Sequence, residues 1–270
     1  MSNAHPLIYR HRLIARLTHW VWALCLFFLL LSGLNIFNAH PTLYIGEQSG
    51  FEFDNDILRI GAEQSADGTP KGFTEVFGVK FESTGVLGLS SERGKLTNRA
   101  FPAWATIPSY RSLAAARVVH FFFAWIFAAV FMIWLISGLF NGHIMRDILP
   151  SPSELKTVPR SIWDHMRLRL HHDGKNNVLQ KVAYAGVLIV LFPLIILTGL
   201  TMSPSMNAAW PWLLDIFAGR QTARSLHFLA MFLLVLFFVV HIAMVILAGP
   251  INELRSMITG WYRTKPESQP

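Results

Sequence analysis

The chain has 270 residues, 53% hydrophobic and only 14% charged, against about a quarter charged in an ordinary soluble domain. Its 23 Lys and Arg outnumber 16 Asp and Glu, for a formal net charge of +7. That balance would fit nucleic acid on a charge-rich soluble protein, but a mean hydropathy of +0.41 and 21 Phe point instead to an integral membrane protein with no nucleic-acid partner. The single cysteine, Cys25, excludes an internal disulfide framework and the CxxCH attachment of a c-type haem.

Four apolar stretches are long enough to cross a bilayer, which takes about 20 residues: Leu17–Asn38, Val118–Phe140, Val182–Met202 and Ser225–Gly249. None contains Asp, Glu, Lys or Arg. Extended to their flanking turns, they predict transmembrane helices at 17–38, 113–140, 178–202 and 224–249. The first follows Arg10, Arg12 and Arg16 as a secretion signal would, but it is too long for one. It also runs into Leu-Asn-Ile-Phe-Asn-Ala-His-Pro without a small-residue cleavage site, so a retained helix is expected. Pro193 interrupts the third stretch, which neighbouring helices can tolerate.

Segments 1–16, 141–177 and 250–270, with Lys181 just beyond the second, carry 13 basic against 6 acidic residues. The positive-inside rule places these segments, and both termini, in the cytoplasm. Segments 39–112 and 203–223 then lie outside, and together they sum to −2. Loop 39–112 is rich in Gly, Ser and Thr with short β-like runs such as Gly78-Val-Lys-Phe81. A connection of that length is expected to be functional or disordered. The fold expected is thus an all-α membrane bundle of four helices with one long outer loop.

Ionisable groups inside a span are costly and mark function. The spans hold four histidines: His19, His120, His227 and His241. His19 and His241 fall near the inner ends of helices one and four, His120 and His227 near the outer ends of helices two and four. His227 and His241 are 14 residues apart, so they share a face and differ in height by about 21 Å. One helix with two stacked imidazoles, facing two helices with one each, can hold two six-coordinate metal centres. Imidazole is the usual axial ligand of haem iron, and without CxxCH the haems would be non-covalent, b-type. The expected pairs are His19 with His241 and His120 with His227. The other histidines, His5, His11, His40, His143, His165, His171 and His172, read as solvated flank and loop residues.

Gly33 lies 14 residues after His19 and Gly138 lies 18 after His120, each at the depth of the opposite pair. They read equally as clearance for a flat porphyrin or as small-residue helix packing in Ser-Gly-Leu at 32–34 and 137–139, with Thr-Gly-Leu at 198–200 similar. Arg16, Arg117 and Arg224 each precede a histidine by three residues. Each can meet a haem propionate or snorkel at a helix end; Arg117 and Arg224 lie on the outer side, where topology gives no reason for arginine.

Arg16-Leu-Thr-His19-Trp20 opening helix one, a histidine early in helix two and His-x13-His on helix four resemble the bacterial cytochrome b561 and nickel-hydrogenase cytochrome b family. That family includes membrane subunits of formate dehydrogenases and hydrogenases and thiosulfate-reductase-type cytochromes b. The resemblance covers all four spans and implies a di-haem core passing electrons between the quinone pool and a partner. In the formate dehydrogenase relative, Asn-x-x-Gln-Lys opening helix three lies at a quinone site. Asn177, Gln180 and Lys181 match it, whereas the contacting glycine of that motif falls on Leu179. Read without the resemblance, Asn177 is a helix cap. The loop segments Phe81–Gly88 and Arg99–Pro108 are similar to cytochromes b that serve periplasmic molybdopterin oxidoreductases of the sulfite-oxidase type; a simple cap over the outer centre is the other reading.

The function expected is a quinone-linked electron-transfer subunit in a bacterial inner membrane, with haem b twice and quinone as substrate. Its expected partner is a periplasmic oxidoreductase subunit, for which the resemblance suggests a molybdopterin enzyme. Alternatives are a self-contained oxidase of a small molecule such as superoxide, a histidine-based zinc or copper transporter, and a structural scaffold. An apolar docking surface on loop 39–112 would separate the first reading from the oxidase.

Overall fold

The computed structural model describes residues 6–50, 52–92, 94–166 and 178–264. Among them are four helices long and apolar enough to cross a membrane: helix one (Leu13–Phe37), helix two (Leu113–Phe140), helix three (Val178–Thr201) and helix four (Arg220–Ala248). They are apolar around most of their circumference, the pattern of a helix bathed in hydrocarbon. Val118, Phe122, Trp125 and Ile133 of helix two all face outward. Helix one packs chiefly on helix two, and helix three on helix four.

Local chemistry sets the helix ends. Ser112 caps helix two by accepting the Ala115 N–H. Helix four starts after Gly219 (φ +101°), where a Cβ would stand 2.7 Å from the Gly46 carbonyl oxygen. It stops at left-handed Gly249, and Pro250 opens the next helix, Pro250–Thr259. Helix three is not regular. Its α-helical turns 178–185 and 192–201 flank a π-helical segment, Gly186–Leu191. Pro193 supplies no N–H to the ladder just beyond, and a π-bulge is one way to absorb that loss.

The bundle core is aromatic. Trp22, Phe127, Phe131, Trp134 and Phe192 are buried together, with Phe127 edge-on to Phe192 at 4.7 Å between ring centres and Trp22 edge-on to it at 5.3 Å. Leu234, midway between His227 and His241, belongs to the same cluster. The cluster therefore fills the middle of the bundle between the two histidine levels.

The all-α expectation is corrected at both ends of the bundle, making the chain predominantly rather than wholly helical. Between helices one and two lies a cap with a four-stranded antiparallel sheet, ordered β2 (Thr42–Tyr44), β3 (Asp56–Gln64), β4 (Pro70–Val76) and β5 (Val79–Glu82). A hairpin, β6 (Leu89–Glu92) and β7 (Lys95–Asn98), packs on β4. Gly88 brings it there, since a Cβ at that position would overlap the Gly61 carbonyl. At the opposite end, β1 (Leu7–Tyr9) pairs antiparallel with β8 (Trp261–Arg263).

Polar residues, most of them buried, fasten the cap to the bundle. Asn35 of helix one donates to the carbonyls of Pro108 (2.6 Å) and Tyr110 (3.0 Å). Asn38 accepts the Phe101 N–H at 2.7 Å. On helix four, Thr222 accepts from the Gly46 N–H at 2.7 Å and Ser225 donates to the Tyr44 carbonyl at 2.6 Å. Inside the cap, Arg99 is 2% exposed. It donates to the Phe101 carbonyl (2.8 Å), the Ser109 carbonyl (3.0 Å) and the Thr106 hydroxyl (3.0 Å). It also pairs with Glu92 at 2.9 Å.

Candidate metal centres

The structure brings the four span histidines together as two facing pairs. His120 and His227 stand at the cap end with ring centres 6.3 Å apart and planes at 57°. His19 and His241 stand at the end where the termini meet, also 6.3 Å apart, at 54°. A metal–imidazole bond is about 2.0 Å, and with about 1.2 Å from ring centre to nitrogen, two rings across one metal ion stand about 6.4 Å apart. Both pairs have that separation. Among the described residues, no group of three or more His, Cys, Asp or Glu is placed to hold a metal. Each centre thus offers two protein ligands, which suits a metal whose remaining ligands come from a macrocycle and not a tetrahedral zinc site.

At the cap end each imidazole rests on a hydroxyl. Ser32 Oγ lies 3.1 Å from His120 Nδ1, and Thr198 Oγ1 lies 3.1 Å from His227 Nδ1. Ser32 donates its proton to the Phe28 carbonyl and Thr198 to that of Leu194, each at 2.6 Å. The hydroxyl oxygens therefore accept from Nδ1–H, leaving the Nε2 lone pair of each ring for a metal. The glycine after each hydroxyl faces the same ring. A Cβ on Gly33 would lie 3.3 Å from His120 Cε1, and one on Gly199 3.4 Å from His227 Cε1.

The other pair is built differently. His19 Nδ1 is buried and has no hydrogen-bond partner among the described residues. Trp20 meets the His19 ring edge-on at 5.1 Å, and Phe237 stacks on His241 at 5.8 Å. Gly138, expected at this depth, receives Ile144 instead: a Cβ there would come 2.8 Å from Ile144 Cγ1.

The three arginines lie near the pairs, and among the described residues none forms an ion pair with a carboxylate. Arg16 donates to the Thr259 carbonyl at 3.0 Å. Arg117 is exposed and lies 5.4 Å over the Phe121 ring. Arg224 donates to the His40 carbonyl and lies 5.6 Å over Phe37. Burial, reinforced by the Arg224 charge, holds the His40 pKa below its usual value.

Of the three residues expected at the start of helix three, Asn177 lies outside the described residues. Gln180 is exposed. Lys181 is bound to Glu154 at 2.7 Å, and that hydrogen bond, with those from Ser151, holds the Glu154 carboxyl at about 2. The folded value is depressed, so whatever the pair contributes is present above the usual carboxylate range and lost as pH falls through about 2. In the Lys181→Met variant we expect Glu154 to titrate closer to 4.5, its ordinary value. Infrared spectroscopy of the carboxyl band, referenced to Glu154→Gln, reads the difference; an unmoved midpoint would show that Lys181 does not hold it.

Two pairs of facing imidazoles thus lie at two levels of a bundle of four helices long and apolar enough to cross a membrane. The family model for prokaryotic cytochrome b561 matches residues 10–260, and the chain belongs to that family, whose members bind haem b. It is also similar to the putative protein-methionine-sulfoxide reductase subunit YedZ1 of Azospira oryzae, 31% identical over 150 residues covering 55% of this chain and 72% of the relative. No solved structure matches the chain.

Ser32, Thr198 and Arg99 were not singled out by the sequence. The first two stand in Ser-Gly and Thr-Gly dipeptides that read as packing, and the signal that distinguishes them is a place one helix away from a span histidine. For Arg99 no local signal exists, because its partners are backbone carbonyls brought in by the fold.

Proposed function

We propose that the protein is a di-haem cytochrome b that passes electrons between membrane quinone and an extracytoplasmic oxidoreductase subunit. The single observation that carries this reading is the pair of 6.3 Å imidazole separations at two depths of one bundle. His19 and His241 would hold the haem at the cytoplasmic end, His120 and His227 the one beneath the cap. Each haem iron, when bound, exchanges one electron between ferrous and ferric states. The chain's own residues fix the ligand rings, exclude water through the aromatic layer of Trp22, Phe127, Phe131 and Phe192, and supply cationic groups to the propionates. Arg16, Arg117 and Arg224, lacking carboxylate partners among the described residues, suit that role.

The inner-membrane location with both termini cytoplasmic rests on the 13-to-6 basic excess of the terminal and 141–181 segments. Quinone is placed at the cytoplasmic start of helix three, with Asn177, Gln180 and Lys181, by the motif alone. A partner on the outer side is supported by the cap, which exposes Phe77, Val79, Phe81 and Trp104. Exposed large apolar side chains on an outer domain suit a protein-binding face, and they favour a docked subunit over a self-contained oxidase. The relative's name makes a methionine-sulfoxide reductase one such partner, and a molybdopterin enzyme fits the resemblance of the cap. Two-ligand centres weigh against a zinc or copper transporter.

The test is an absorption spectrum of the purified full chain, oxidised and dithionite-reduced. A b-type α-band with two haems per chain is expected. A colourless protein from haem-replete cells would end the proposal.

A further inference from the structure

The two histidine pairs share a ring separation but differ in what holds the rings, and that difference falls on residues outside the ligand set. We propose that Ser32 and Thr198 are positioning residues that hold the Nδ1–H of His120 and His227 and thereby lower the reduction potential of the haem beneath the cap. This rests on the di-haem reading above.

The geometry has three parts that act on the same ring. Each hydroxyl gives its proton to the carbonyl one turn back at 2.6 Å, so it meets the imidazole only as an acceptor, at 3.1 Å. An acceptor at Nδ1–H raises the electron density of the ring and its strength as a donor through Nε2. A stronger donor favours the ferric over the ferrous ion. The glycine that follows each hydroxyl keeps the helix backbone against the ring, with 3.3 and 3.4 Å from the place of a Cβ to Cε1. A larger residue would push the imidazole off its hydroxyl.

The device occurs twice. Helix one serves the ligand of helix two, and helix three serves the ligand of helix four. At the other pair, His19 Nδ1 is buried without such a partner among the described residues. The two centres therefore have the same ligand type with different support, a means of giving two b haems different potentials.

Potentiometric titration of the haem-loaded full chain, followed at the α-band, reads the proposal. Removing one hydroxyl acceptor weakens one of the two ligand rings and leaves the other supported. Ser32→Ala or Thr198→Ala is thus expected to shift one centre about threefold toward ferrous, about +30 mV at 59 mV per tenfold. The double variant is expected to shift it about tenfold, about +59 mV. The second centre stays in place, and Ser32→Thr and Thr198→Ser, which keep the hydroxyl, restore the first.

Full haem content with both potentials unmoved in the double variant would overturn the proposal, as would an equal shift in the hydroxyl-retaining variants. If an alanine variant loses a haem that its hydroxyl-retaining counterpart keeps, positioning is supported. Loss from both variants would assign the position to packing and overturn it. A wild-type protein without haem defeats the parent reading and this one together, so the two failures are distinguishable.

Discussion

In the His227→Ala variant, haem content falls from two per chain to one, and the haem that remains is the one at the His19 and His241 level. The expectation follows from how helix four is used. It carries one ligand of each pair, 14 residues apart, so a substitution at one level leaves the other untouched about 21 Å away. His120→Ala should give the same spectrum as His227→Ala, because those rings face each other at 6.3 Å. His19→Ala and His241→Ala should form the complementary set. Haem extracted as the pyridine complex, divided by protein, measures the count, and the surviving α-band identifies the level. If His227→Ala and His19→Ala removed the same haem, the pairing would be wrong even with the di-haem reading intact.

The second large effect is expected in the cap. Arg99→Met removes a side chain that binds two carbonyls, a hydroxyl and the Glu92 carboxylate from a position 2% exposed to solvent. Breaking a buried charge pair on one side leaves its partners desolvated, at a cost of about 3–5 kcal/mol. Glu92 retains some access to water, which places the expected local loss at the lower end, about 3 kcal/mol. Arg99→Lys should recover little, since an ammonium cannot span partners arranged for a planar guanidinium. Hydrogen exchange across 99–112 is expected to rise by about a hundredfold, at 1.4 kcal/mol per tenfold, while the bundle helices keep their protection. Unchanged exchange in that segment would show that the cap does not depend on Arg99.

The four spans were legible because runs such as Leu17–Asn38 carry no charge and are longer than any soluble strand needs. The histidine levels were legible for a related reason: helical rise converts the separation of His227 and His241 directly into height. The cap's sheet was not. Strands β2 and β5 are short, and β3 and β4 mix Arg59, Glu63, Lys71 and Glu75 with apolar residues because one face carries cross-strand ion pairs such as Arg59–Glu75 at 2.8 Å. The role of Ser32 was hidden because its partner, His120, is 88 residues away. Of the two readings open for Gly138, the contact with Ile144, which lies beyond the end of helix two and was not foreseen, is a packing contact.

Helix three is the only one of the four that contributes no histidine to either pair, and it is the one broken by a π-helical segment and Pro193. Helix four, which contributes two, runs as uninterrupted α-helix from Arg220 to Ala248. Backbone irregularity thus falls in the helix that sets no ligand spacing. A bundle built this way sets the distance between its two histidine levels on one continuous rod, so a change in the winding of its third helix would leave that distance unaltered.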